Sequence, residues 1–453
     1  MRHYFRVTMV VWLFGWMNAC ATGPPQSHPH LMVDPEGYAL ADDGERMRWG
    51  AYNERIADII AKVRAHLDKP REEGEPAKIL VHVHGGLVNQ AEGLQFIEDM
   101  VDDESLLKGT DYYPVFINWD ASLGSSLYDD IFEVRRGTRD PLIGYPTSPF
   151  VALSRLVAGV ARLPVTLVYH YDTEKMQFES WNGEKCRSWR EHVGNGIVTV
   201  VSLPITVVSL PFISGFGEGA WKMLRRRTDQ MFAYQIRPEK HILFDQVEEP
   251  GALRRFFEAV EAMPQRNTPG VEITLVGHSM GAIVVNKILR AFPEIKFDRI
   301  IYLAAASSIE DFIDTAPRYL ELHPQSAFYS FSLSNRDEGG EFNYFLPRGS
   351  LLVWIDNMFE PGVSPTDKRM GFFRNKDIIR IAPLDGKCCP HMQFVKFTGA
   401  EGQPRKHGNF NNDGVYQSIL EMARPDEMAE LKARQDFVGH CPCEQEDAGD
   451  EVP

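Results

Sequence analysis

The stretch Val271-Glu272-Ile273-Thr274-Leu275-Val276-Gly277-His278-Ser279-Met280-Gly281 constrains this chain more than any other. Its apolar, β-branched start reads as a buried strand. The run ends in G-H-S-M-G, and Ala282 to Arg290 continues with helical spacing. A strand that becomes a helix within so few residues must turn sharply. Gly277 and Gly281 stand two positions either side of the serine, where side chains would hold helix and strand apart. Such a turn leaves the Ser279 hydroxyl exposed and points the Met280 N–H, at the helix start, into the space beside it. His278 sits within the turn and reads as a structural neighbour.

A second apolar run, Lys78-Ile79-Leu80-Val81-His82-Val83-His84-Gly85-Gly86, reads as a buried strand ending in H-G-G. The two segments together resemble the G-x-S-x-G nucleophile elbow and the oxyanion loop of α/β-hydrolases. The chain is similar to serine hydrolases of the lipase/esterase-like type over roughly residues 76–425, with a long interruption. The resemblance implies an α/β-hydrolase fold, with a mostly parallel central sheet flanked by helices. It implies Ser279 as nucleophile and the N–H of Met280, with that of Gly86 or Leu87, as donors to an oxyanion. It also implies that the acid and then the histidine follow Ser279 in the chain.

The C-terminal half offers residues for both roles. Phe297 to Ala306 and Ser326 to Leu333 read as strands, and Ser334-Asn335-Arg336-Asp337-Glu338 follows the second. Asp337 is the expected acid, holding the histidine in one tautomer. Glu338 and Asp311 are the alternatives. Met392 to Phe397 reads as the last strand and Gly414 to Met422 as the last helix. His407 lies in the loop between them, where the resemblance places a general base. Its near-neutral titration lets it take and return a proton.

Asp111 to Asp120 reads as the strand after a first crossover helix, about 91–107, and Pro250 to Val260 as the helix leading to the elbow strand. The intervening segment is too long for a loop and implies an inserted cap. The domain plan is then 1–20 leader, 21–49 linker and N-terminal extension, 50–120 first core part, 121–245 cap, 246–440 second core part and 441–453 acidic tail. A helix is expected over about 50–67. Two cap stretches, 149–168 and 196–213, are unusually apolar; Pro204 and Pro211 would break a lone helix. A buried cap, a membrane-dipping lid and a transmembrane hairpin all fit this composition.

The N-terminus is basic, then apolar from Val7 to Trp16, then carries Ala19-Cys20 before polar sequence. This is a signal-peptide layout and resembles a bacterial lipobox, which implies lipidation of Cys20 and a membrane-anchored lipoprotein of the cell envelope facing the periplasm or the exterior. Beyond Cys20 are Cys186, Cys388, Cys389, Cys441 and Cys443. Disulfides between the pairs Cys388/Cys389 and Cys441/Cys443 suit an exported protein; a metal site with His391 and His440 is the rival. A net charge of −15 argues against a nucleic-acid partner. The expected activity is cleavage of a carboxylic ester, of lipid or other apolar acyl type, without cofactor or metal. Thioesterase, amidase or acyltransferase chemistry uses the same residues. A catalytically silent envelope lipoprotein is the alternative from another class.

Overall fold

The computed structural model describes residues 29–423 except 73–74, 102–106, 108–109, 177–188, 237–247, 264–269, 342–346, 382–391, 398, 400–402 and 412–413; for 189–206 it describes the backbone alone. The leader, all six cysteines, His391, His440 and the acidic tail lie outside the described residues, and with them the expected lipidation, disulfides and rival metal site.

Eight strands form one sheet: β1 (His30–Val33), β2 (Ala39–Leu40), β3 (Ala77–Val83), β4 (Tyr112–Trp119), β5 (Val271–His278), β6 (Arg299–Leu303), β7 (Ala327–Ser332) and β8 (Met392–Lys396). Their order is β8-β7-β6-β5-β3-β4-β1-β2. Only β2 is antiparallel to its neighbour. Parallel strands joined by helices are covered on both faces, so they read as unbroken apolar runs. β6 and β7 are buried at every position. The main helices are α1 (Trp49–Leu67), α2 (Gln90–Val101), α3 (Pro141–Met176), α4 (Trp189–Gln230), α5 (Ala252–Glu261), α6 (Gly281–Ala291) and α7 (Val415–Met422). The molecule is thus an α/β protein with a mostly parallel sheet and flanking helices.

From β3 the chain crosses to β4 on one side; from β5 it proceeds through β6 and β7 to β8 on the other. β3 and β5 are neighbours, with Val83 opposite Gly277. The direction of winding reverses between them, and the crevice beyond the carboxyl ends of such strands is the natural ligand position in an open α/β sheet. His84-Gly85-Gly86 and Ser279 both emerge there.

Residues 21–49 do more than link. β1 extends the parallel sheet beside β4, and β2 closes that edge. Strands of four and two residues are too short to display alternation.

Between β4 and α5 lie a short helix (Leu123–Tyr128), a small ribbon and the long helices α3 and α4. Contrary to the expected break, α4 runs through Pro204 and Pro211, and α3 through Pro146, Pro149 and Pro164. The two helices pack backbone to backbone. A Cβ on Gly159 would stand 1.8 Å from the Pro211 carbonyl oxygen, and one on Gly215 would stand 2.1 Å from that of Arg155. Proline costs a helix one hydrogen bond and a local clash; tight packing on a neighbour offsets that where a lone helix would yield. The pair is fixed to the body by Trp221, which donates to Glu360 at 2.8 Å. Buried Arg227 adds bonds to the Asp120 carbonyl at 2.9 Å and Asp129 at 2.6 Å.

Candidate active site

β5 ends in a strained turn. Ser279 has φ +49°, a left-handed conformation that costs a non-glycine residue on the order of 1–3 kcal/mol. The strain is held by the Ser279 N–H bonded to the Leu303 carbonyl at 2.7 Å. The Ala306 N–H bonded to the Ser279 carbonyl at 2.9 Å holds it from the other side. Gly277 and Gly281 have the role their spacing implies. A Cβ on Gly277 would lie 2.8 Å from the Ala282 Cα, and one on Gly281 would lie 2.2 Å from the Val83 carbonyl oxygen. The second contact is with a central strand that has no room to move. Gly281→Ala is therefore expected to lower unfolding stability by about 2–3 kcal/mol, read from the midpoint of a denaturant titration.

The loop after β3 lies directly on this turn. A Cβ on Gly85 would stand 3.0 Å from the Ser279 Cβ, and one on Gly86 would stand 3.0 Å from the Met280 sulfur. Buried His84 pins the loop: its Nδ1–H donates to the Gly85 carbonyl at 2.9 Å, and its Nε2 accepts the Trp119 N–H at 3.1 Å. Burial holds its pKa below the ordinary range, so it stays neutral. Leu87 is removed as an oxyanion donor, because its N–H is bonded to the Ala121 carbonyl at 2.8 Å. Gly86 and Met280 have no such engagement: among the described residues neither N–H has a hydrogen-bond acceptor.

His407 opens a short 3-10 turn (His407–Asn411) beyond β8. The Ser279 hydroxyl stands 2.9 Å from its Nε2, aligned to donate. On the other side its Nδ1 faces the Glu338 Oε1 at 3.7 Å. Glu338 is fully buried, and the Ser350 hydroxyl donates to its second oxygen. Neither the His407 Nδ1 nor the Glu338 Oε1 has another hydrogen-bond partner.

The acid opposite the imidazole is therefore Glu338, and the expectation of Asp337 is corrected. Both lie on the short helix Asn335–Gly340 that follows β7. Successive helical residues project about 100° apart, so only one of two neighbours can face His407. Asp337 is occupied at the helix start: its N–H donates to the Ser334 hydroxyl at 3.1 Å, and that hydroxyl donates to its Oδ2 at 2.6 Å. Asp311 is elsewhere, paired with Arg290 at 2.6 Å and accepting from Asn286. Glu341 was not singled out from the sequence, yet its Oε2 accepts from the His407 N–H at 3.5 Å. The only sequence signal for it was membership of the same acidic run after β7.

The electrostatics separate the histidines. Burial would depress the His407 pKa, but the Glu338 carboxylate, with Glu341 behind it, overcomes this and raises it above the ordinary 6.5. Burial drives His278 down to about 3, with the neighbouring His407 charge adding to the effect. Neutral His278 donates from Nε2 to the His407 carbonyl at 3.1 Å and so supports the other ring. Ser279 is 1 % exposed and His407 8 %.

A cavity of about 530 Å³, lined by Arg225, Lys287, Arg290, Asp311 and Arg369 among others, includes neither Ser279 nor His407 in its wall. Its charged lining does not suit an apolar chain. Among the described residues no group of three or more His, Cys, Asp or Glu is arranged to hold a metal ion. Compared with protein-family models, curated proteins and solved structures, the chain finds no match.

Proposed function

We propose that this chain is a serine hydrolase of the α/β-hydrolase fold that cleaves carboxylic esters of apolar acyl groups. The observation that carries the proposal is the 2.9 Å contact between the Ser279 hydroxyl and the His407 Nε2. That contact forms at the carboxyl end of β5, on a strained turn. The chain order of serine, acid and histidine supports the same fold assignment.

In this mechanism Ser279 Oγ attacks the ester carbonyl as His407 Nε2 takes its proton. The carbonyl oxygen becomes an oxyanion held by the Met280 and Gly86 N–H groups. Glu338 keeps the imidazole oriented and stabilises its cationic form. Collapse breaks the bond to the alkoxy group, which leaves with the proton from His407. Water then attacks the acyl-serine, gives its proton to His407, and the acid departs as Ser279 is restored.

A series of nitrophenyl esters of increasing chain length tests the activity: turnover that improves from acetyl toward longer acyl groups supports it. No turnover of any ester by folded protein overturns it, and favours the silent binding alternative, for which the 1 % exposure of Ser279 is the supporting observation.

The pH profile is a separate prediction. His407 must be neutral to accept the serine proton, and its pKa is raised. The acid limb of kcat/KM therefore lies above pH 6.5, with activity lost as pH falls through it. Glu338→Gln removes the raising carboxylate and moves that limb to lower pH. A limb that stays in place would exclude Glu338 as the partner.

A further inference from the structure

The outer face of α3 carries no charge. From Pro141 to Tyr171 every exposed position is apolar or, at Tyr145, Ser154 and Tyr171, bears only a hydroxyl. Phe150, Leu153, Val157, Val160, Val168 and Tyr171 recur at helical spacing with 55–73 % of their surface open. Single exposed apolar residues need no explanation, whereas a continuous stripe of this length does. The helix is also long and apolar enough to cross a membrane, with a mean hydropathy of 1.6 over its best window and only 11 % of that window buried.

The charges that lie within the helix are turned inward. Arg155 forms two bonds to Asp130, at 2.8 and 2.7 Å, and Arg162 reaches Glu218 at 2.6 Å. The polar groups that remain on the outer side are satisfied without water. Pro149 removes the helical partner of the Tyr145 carbonyl, and the Ser148 hydroxyl donates to that carbonyl at 2.8 Å. The Ser154 hydroxyl donates to the Val151 carbonyl at 2.7 Å. A surface that meets another protein keeps polar groups and arginines at its rim. A surface that meets hydrocarbon must close every hydrogen bond on itself. The outer face of α3 follows the second rule.

Both ends of α3 are tied to the globular body. At one end Gly144 lies on the Phe132 carbonyl and its own carbonyl accepts from Arg135 at 2.8 Å. At the other, Met176 packs on Gly339 and Asp172 accepts from Arg374 at 2.7 Å. A helix held at both ends to one polar body cannot cross a hydrocarbon layer roughly 30 Å thick without drawing that body in. It can lie in the surface with its open face among the acyl chains.

We propose that α3 is an in-plane membrane-docking helix whose outer face, centred on Leu153, Val157, Val160 and Val168, embeds in the lipid surface. It does so without requiring an acyl anchor or anionic lipid. Gly339, on which Met176 packs, adjoins Glu338, so docking brings the candidate active site to the membrane surface.

The test is flotation of the full-length chain carrying Cys20→Ser with neutral phosphatidylcholine vesicles. The expected result is binding that rising salt does not release. Val157→Glu with Val168→Glu should weaken it about tenfold or more while circular dichroism stays unchanged. Tryptophan placed by Phe150→Trp, Val160→Trp or Tyr171→Trp should be quenched by brominated lipids at one shallow depth. Unchanged binding in the charged variant would overturn the proposal. So would a variant that loses self-association in light scattering yet still floats, or a Val160→Trp signal quenched only at the bilayer centre. Binding is read without turnover, so failure here leaves the proposed ester hydrolysis untouched.

Discussion

Ser279→Ala should abolish ester hydrolysis, lowering kcat by about 10⁴–10⁶-fold. The substitution removes one oxygen and keeps the Cβ, and alanine meets the same φ of +49° that serine already tolerates. The fold should therefore survive with little change in stability, so the loss reports chemistry. What remains would come from binding and from the Gly86 and Met280 N–H groups. Steady-state kinetics beside a denaturation curve checks both halves. A variant that folds and turns over within a few-fold of the parent would remove Ser279 from the mechanism.

Glu338→Gln carries the second large effect, about 10³–10⁴-fold in kcat. The amide is nearly isosteric, so the Ser350 hydroxyl keeps an acceptor, but the charge facing His407 Nδ1 disappears. Without it the imidazolium formed during attack loses its stabilising partner, and the tautomer with hydrogen on Nδ1 loses its advantage. Asp337→Asn is the matched control. An amide oxygen there still accepts from the Ser334 hydroxyl, so kcat should stay close to that of the parent. The reverse outcome, with Asp337 sensitive and Glu338 silent, would reassign the acid. Glu341→Gln should fall between them, since its carboxylate reaches the His407 backbone rather than the ring.

The positions that sequence reading reached best share one physical cause. β3 through β8 are buried on both faces or nearly so, and such strands announce themselves as apolar runs bounded by polar turns. The turn at Ser279 is legible because only glycines fit against Val83 and Ala282. His407 is legible by its place between β8 and α7. The acid is another matter. Asp337 and Glu338 are adjacent, and which one faces the imidazole depends on the rotation of one helical turn, set by the Ser334 cap. No local pattern reports that rotation. Leu87 was separated from Gly86 as a donor only by a long-range bond to Ala121. The edge strands β1 and β2 are too short for periodicity, and their pairing with β4 is a tertiary fact. The prolines of α3 and α4 argued for breaks that packing between the two helices overrode.

Covalent labelling by an alkyl fluorophosphonate, followed by mass spectrometry of the peptide containing Ser279, tests the nucleophile most directly. Serine oxygen displaces fluoride from phosphorus only where an imidazole accepts its proton. The expected outcome is one phosphonyl adduct per chain, on Ser279, formed quickly in the parent and at least about a hundredfold more slowly in His407→Ala. A folded parent that stays unlabelled, or one labelled at the same rate without His407, would contradict the pairing on which the proposed catalysis depends.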